Sequence, residues 1–184
     1  MRVVAGTLKG RSIKAVKGTN TRPTTDKVKE SIFNIIGPYF EGGLALDLFG
    51  GSGNLGIESL SRGIERAIFV DRENIAIQTI KQNIKDLKLD ERVEIYRNDA
   101  FKALKAIVKR ELKFDLILLD PPYKGQRINE LIEFIHEHEL LSPGGIIMAE
   151  CLKEDELHES VGDIVVCKRE VYGITAITIY RREA

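Results

Sequence analysis

Hydrophobic positions along the chain follow two regimes, one before residue 44 and one after it. Residues 2–16 alternate loosely around Gly6-Thr7-Leu8-Lys9-Gly10, which predicts a short hairpin with a glycine-containing turn. Arg22-Pro23-Thr24-Thr25-Asp26 then supplies a rigid lead-in and a helix cap. Val28, Ile32, Ile35, Ile36 and Tyr39 follow at helical spacing, and Gly42-Gly43 ends this leading part.

From residue 44 short apolar runs alternate with amphipathic stretches. Leu44–Phe49, Ala67–Val70, Val93–Tyr96, Phe114–Leu119 and Ile146–Ala149 read as strands. Between them, helices are predicted from about Asn54 to Arg62, along Ala76, Ile80, Ile84 and Leu87, along Ala100, Leu104, Ile107 and Val108, and along Ile128, Leu131, Ile132 and Ile135. Five strand–helix units imply an α/β fold with a mostly parallel sheet and helices on both faces. Ile164–Cys167 and Thr175–Tyr180 have no clear helix between them, so they predict a closing hairpin with one antiparallel strand at or near an edge. The expected division is an N-terminal hairpin-plus-helix extension, residues 1–41, and a main domain, residues 42–184.

Ligands of such sheets bind beyond the carboxyl ends of the strands, so the residues just after each strand carry the most information. The first strand runs into Asp47-Leu48-Phe49-Gly50-Gly51-Ser52-Gly53-Asn54-Leu55-Gly56, with G-x-G-x-x-G at 51, 53 and 56 between a strand and a helix. Glycines there permit a tight turn and a close approach of backbone to a nucleotide-type ligand. Asp71 ends the second strand, 20 residues after Gly51, where a carboxylate accepts from ribose hydroxyls or caps a helix. Asn98-Asp99 ends the third, placed to read an adenine amino group or, equally, to cap the next helix.

Asp120-Pro121-Pro122-Tyr123 follows the most apolar strand. Two prolines set the backbone rigidly and keep the Pro121 carbonyl out of any strand ladder. The Asp120 carboxylate and that carbonyl can both accept from one substrate NH2 group, while Tyr123 offers a flat face for a planar group.

These residues resemble the class I S-adenosylmethionine-dependent methyltransferases, and among them the amino-methylating branch with its [DN]-P-P-[YF] signature. Arg22-Pro23-Thr24-Thr25-Asp26-Lys27-Val28-Lys29-Glu30-Ser31, the Asp47-Leu48-Phe49 loop, Leu60-Ser61-Arg62-Gly63 and Asp120-Pro121-Pro122-Tyr123 together look like the RsmD family. Gly50 stands where that family usually has alanine, and the hairpin lacks the aromatic often found before Gly10-Arg11. The resemblance implies a class I methyltransferase (Rossmann-like) fold, S-adenosyl-L-methionine as cofactor, and methylation of a guanine N2 amine in bacterial 16S ribosomal RNA. It further implies that Asp47, Phe49, Gly51, Gly53 and Asn54 flank the amino-acid part of the cofactor, Asp71 its ribose and Asp99 its adenine. Asp120 then borders the cofactor and, with Pro121 and Tyr123, performs the chemistry.

Charge adds a partner to this picture. The whole chain has 28 Lys+Arg and 28 Asp+Glu, yet residues 1–30 hold eight bases against two acids and the remainder is acidic by the same margin. Arg2, Lys9, Arg11, Lys14 and Arg22 are therefore candidate RNA-binding residues, and a solvated basic N-terminus is the plain alternative. With 43% apolar and 30% charged residues over 184 positions, neither disorder nor a membrane span is expected, and neither is a signal peptide. Cys151 and Cys167 make no CxxC, and His136, His138 and His158 make no metal-ligand spacing, so no metal is expected. A monomer in the cytoplasm is the expected state. Other readings are methylation of a DNA adenine or cytosine, methylation of a protein glutamine, an NAD-dependent oxidoreductase, or an RNA-binding module without catalysis.

Overall fold

The computed structural model describes residues 1–18 and 24–183. The leading part carries one helix, α1 (Asp26–Ile36), whose N-cap Thr25 accepts from the Val28 backbone N–H at 3.2 Å. Its buried face is Lys29, Ile32, Phe33 and Ile36, and the helix stops before Gly37-Pro38, as the restriction on a residue preceding proline favours. Tyr39 therefore lies beyond the helix and is exposed, contrary to the helical spacing expected for it. The N-terminal hairpin is looser than its alternation suggests. Arg2 and Ser12 make one isolated antiparallel bridge, and the Val3 and Ile13 backbone N–H groups donate to Arg11 and Met1, with no continuous ladder.

The alternating region forms β1 (Leu44–Asp47), α2 (Asn54–Ser61), β2 (Arg66–Asp71), α3 (Asn74–Asp86), β3 (Val93–Arg97), α4 (Ala100–Val108), β4 (Phe114–Leu119), α5 (Ile128–Glu137) and β5 (Leu141–Leu152). A 3-10 turn at Asp90–Arg92 precedes β3. Short strand β6 (Ser160–Val161), then β7 (Ile164–Tyr172) and β8 (Thr175–Arg182), complete the chain. The fifth strand has no helix after it, so four strand–helix units, not five, precede the closing strands. One eight-stranded sheet results, in the order β3-β2-β1-β4-β5-β8-β7-β6. Strands β1 to β5 are parallel, and β8, β7 and β6 add antiparallel in that order, so the expected closing hairpin is present as β7 and β8, with the short β6 added at the edge. Strand order reverses between β1 and β4, which places the ligand crevice at their carboxyl ends.

Two apolar layers sandwich the sheet. Ile32, Phe33, Leu55, Ile57, Ile80 and Ile84 from α1, α2 and α3 cover one face. Leu104, Ile107, Leu131, Ile132 and Ile135 from α4 and α5 cover the other. Phe114, Leu116, Ile117, Leu118 and Leu119 are all fully buried, because a central parallel strand is covered on both sides. Among the described residues no helix is long and apolar enough to cross a membrane.

Candidate active site

Alternation along the strands decides which side chains meet. Ala45, Leu116, Leu118, Ile146 and Met148 face the α1–α2–α3 layer, so Asp47, Asp120 and Glu150, each an even number of positions onward, point to that same side. Asp47 pairs in register with Leu118, and Leu119 with Ala149, so the three carboxyls lie together across β1, β4 and β5. Asp47 is 1% exposed and Glu150 8% exposed. Among the described residues no Lys, Arg or His forms an ion pair with any of the three.

Burial without a cation raises acid pKa values. Burial pushes the Asp47 carboxyl up to about 7, against a hydrogen bond from the Gly56 N–H and with help from the Asp71 charge. Asp120 is pushed well above the usual carboxylate range, first by burial, then by a hydrogen bond with the Glu150 carboxyl, then by the Glu150 and Asp47 charges.

The glycine loop closes the site on the β1 side. Gly51 has φ +58°, and a Cβ there would meet nothing within 4 Å, so the loop faces open space. At Gly56 a Cβ would stand 2.3 Å from Phe69 Cε1, so only glycine lets α2 pack this closely on β2. Gly56 donates its N–H to Asp47 Oδ2 at 3.1 Å. Asp71 accepts from the Gly51 N–H at 2.9 Å and from the Glu73 N–H at 2.9 Å. It is thus a brace between the loop and the end of β2. Asp99 is exposed and caps α4, its Oδ2 accepting from Phe101 and Lys102 N–H groups at 3.0 and 3.2 Å. Beyond β4, Pro121 is buried and Tyr123 half-buried, and Phe49 is half-buried beyond β1.

The N-terminal extension grips this loop at points that the sequence reading missed. Lys29 is fully buried. Its Nζ donates to Asn54 Oδ1 at 2.7 Å and to the Arg2 carbonyl at 2.7 Å, and pairs with Glu58 at 3.1 Å. Glu58 also accepts from the Val4 and Ala5 N–H groups and from Arg62 Nε at 2.8 Å. Asn83 on α3 accepts from the Lys14 N–H at 2.9 Å and donates to the Ser52 carbonyl at 2.9 Å. One signal was legible for all of these: a polar residue set within an apolar helical stripe, Lys29 beside Ile32 and Phe33, Asn83 beside Ile80 and Ile84.

Of the basic set, Arg2 and Lys9 are exposed, while Arg11 donates to the Asp86 carbonyl and Lys14 pairs with the Asp86 carboxylate at 3.5 Å. Lys29, counted in the basic excess of residues 1–30, is withdrawn from the surface. Arg22 lies outside the described residues.

A parallel sheet reversing at β1/β4, a glycine loop after β1, and D-P-P-Y after β4 define a class I methyltransferase. The chain belongs to the family described as "Conserved hypothetical protein 95", the RsmD family, whose model matches residues 1–181. It is 58% identical over 99% of its length, and 99% of the relative's, to "Putative rRNA methyltransferase YlbH" of Bacillus subtilis. It is 30% identical to "Ribosomal RNA small subunit methyltransferase D" of Haemophilus influenzae, covering 98% of this chain and 93% of that one. Among solved structures, "Putative methyltransferase yhhF from Escherichia coli" superposes with TM-score 0.85 at 26% identity, covering 100% of this chain and 98% of the other.

Proposed function

We propose that the protein transfers a methyl group from S-adenosyl-L-methionine to the exocyclic N2 amine of a guanine in 16S ribosomal RNA. The observation that carries this reading is the unpaired acidic floor of the site, Asp47, Asp120 and Glu150, beside a glycine loop open to ligand. Buried carboxyls without a cation call for a ligand that brings positive charge or N–H donors. The names borne by the relatives from Bacillus subtilis and Haemophilus influenzae supply the RNA.

The residues present fit the cofactor. Asp47, Phe49, Gly51, Gly53 and Asn54 would hold its amino-acid part, Asp71 its ribose and Asp99 its adenine. When bound, it supplies an electrophilic methyl group on a sulfonium centre. A guanine amine is a poor nucleophile because its lone pair is delocalised into the ring. Hydrogen bonds from that NH2 to Asp120 and to the Pro121 carbonyl favour a pyramidal nitrogen, and Tyr123 stacks on the base. The amine must shed one proton as it gains the methyl group, and the Asp120 carboxylate is the acceptor in place. Fixed positioning supplies much of the rate. The base reaches such a recess only by leaving its stack, which is cheapest in an RNA loop. Residues 1–41 are the RNA-contacting extension, with Arg2, Lys9, Arg11, Lys14 and Arg22 as phosphate ligands.

Labelled-methyl transfer onto small-subunit RNA from a strain lacking this protein, followed by nucleoside mapping, tests the reading. N2-methylguanosine at one site is expected, and Asp120→Ala is expected to abolish it with little change in S-adenosylhomocysteine affinity. No transfer, or a different modified nucleoside, refutes the assignment. Stabilisation in a thermal-shift assay by NAD instead of S-adenosylhomocysteine would point to an oxidoreductase.

A further inference from the structure

Glu150 is the one carboxylate in the run Ile146-Ile147-Met148-Ala149-Glu150-Cys151, and it sits in the middle of the sheet. The β4/β5 register places it beside Asp120, on the same face, one position past the Leu119–Ala149 pair. It is 8% exposed, and no base pairs with it among the described residues. Two carboxyls set side by side on one face with no cation between them cannot both be ionised at low cost, so such a pair holds one proton between its members.

We propose, resting on the methyl-transfer reading above, that Glu150 is a positioning residue that donates a hydrogen bond to one Asp120 oxygen and leaves the other to accept from the substrate NH2. In this arrangement the shared proton moves to the Glu150 side when a substrate amine engages Asp120. Asp120 is then both ionised and aimed, although other acids flank it. Burial and the Glu150 contact are also the two largest causes that raise the Asp120 pKa, as a shared proton requires.

The groups around the pair do not supply this proton otherwise. Asp47 on β1 adds negative charge. Across β8 the residue opposite Glu150 is the apolar Ile177, and beyond it Glu170 on β7 is ion-paired to Lys168 at 3.3 Å. Cys151 follows on the same strand with its thiol pushed up to about 11 by burial, so it stays protonated, and Asp155 beyond it is an acid.

Single-turnover methyl transfer by Glu150→Gln and Glu150→Ala, measured against pH, tests the role. Gln keeps an N–H donor to Asp120, so that variant should retain most of the wild-type rate at neutral pH. It should also lose the alkaline limb of the profile, which in the wild type marks loss of the shared proton. Ala should lower kcat by about 10²-fold through misplacement of Asp120, with KM for RNA and S-adenosylhomocysteine affinity unchanged. Wild-type kcat in Glu150→Ala, or an unmoved alkaline limb in Glu150→Gln, overturns the proposal. Should the wild type itself fail to methylate small-subunit RNA, the substrate reading falls. Infrared titration of the carboxyl stretch then decides this inference alone. Glu150→Gln should hold one fewer carboxyl proton at neutral pH, and an unchanged count overturns it.

Discussion

The Lys29–Glu58–Arg62 cluster is buried and the Asp47–Asp120–Glu150 cluster nearly so, with Asp120 half-buried, yet one is balanced by opposite charge and the other is not. In the first, two cations flank one carboxylate, whose oxygens also take the Val4 and Ala5 N–H groups, and Arg62 lies 5.2 Å from the centroid of the Phe33 ring. Burial lowers the Lys29 pKa, and the Glu58 charge opposes that shift. In the second, three carboxyls gather without a cation, and the Asp47 and Asp120 pKa values rise. The balanced cluster welds the N-terminal extension to α2. The unbalanced one holds a desolvation cost that a ligand can relieve. Buried charge by itself therefore signals neither stability nor function, and its pairing separates the two.

The contrast is broken most severely at Glu58. Glu58→Ala leaves Lys29 and Arg62 buried without a counter-charge and should destabilise the protein by about 3–5 kcal/mol, read by urea denaturation. Retention of wild-type stability would mean that the cluster is solvated in practice.

Asp47→Asn should act in the opposite sense. A folded-state pKa raised from 3.8 to about 7 means that the native protein binds more protons than the unfolded chain between those values. Native stability is then full below pH ~4 and falls as pH rises towards ~7. Asn has no such penalty, so the stability of the variant relative to the parent should increase by on the order of 3 kcal/mol from pH 4 to pH 8. S-adenosylhomocysteine binding should weaken at the same time. A pH-independent difference in denaturation midpoint would place Asp47 with the structural carboxylates.

Asp71 tests the edge of the acidic site. Asp71→Ala removes the brace on the Gly51 and Glu73 N–H groups together with the ribose acceptor, and should weaken S-adenosylhomocysteine binding by about 1–3 kcal/mol. Unchanged affinity by calorimetry would reduce Asp71 to a turn residue.

The smallest effect is expected at the surface. Arg2 and Lys9 are exposed, whereas Arg11 and Lys14 are partly engaged with Asp86. Neutral polar replacements of Arg2 and Lys9 should each reduce the log–log salt slope of RNA binding by roughly 0.7–0.9 and leave cofactor affinity unchanged. An unaltered slope would return the basic hairpin to a solvated surface.

Much of this molecule was legible from local pattern. Largely apolar runs of four to six residues marked β1 to β4; the stretches covered on both faces, Ala67–Val70 in β2 and Leu116–Leu119 in β4, are unbroken, whereas the half-buried edge strand β3 carries Glu94 within its run. The glycine loop and Asp120-Pro121-Pro122-Tyr123 were visible for the same reason, since turn chemistry is written in adjacent residues. The end of β5 was not. The apolar run stops at Ala149, but the strand continues to Leu152 because β8 pairs with it from Ile146 to Leu152, and that extension brings Glu150 under cover. The order of the closing strands and the brief β6 depend likewise on which edge was free to accept them.

The sequence by itself determined the α/β alternation, the side on which ligand binds and the residues at the strand ends, all properties of neighbours in the chain. Tertiary structure decided the partners of charge. Lys29 meets Glu58, Lys14 meets Asp86, and Asp120 meets Glu150 across some 30 to 70 residues of chain, and only the packed sheet and helices make each pair adjacent. A charged residue at an apolar position announces that it has a buried neighbour, and the fold selects which neighbour that is.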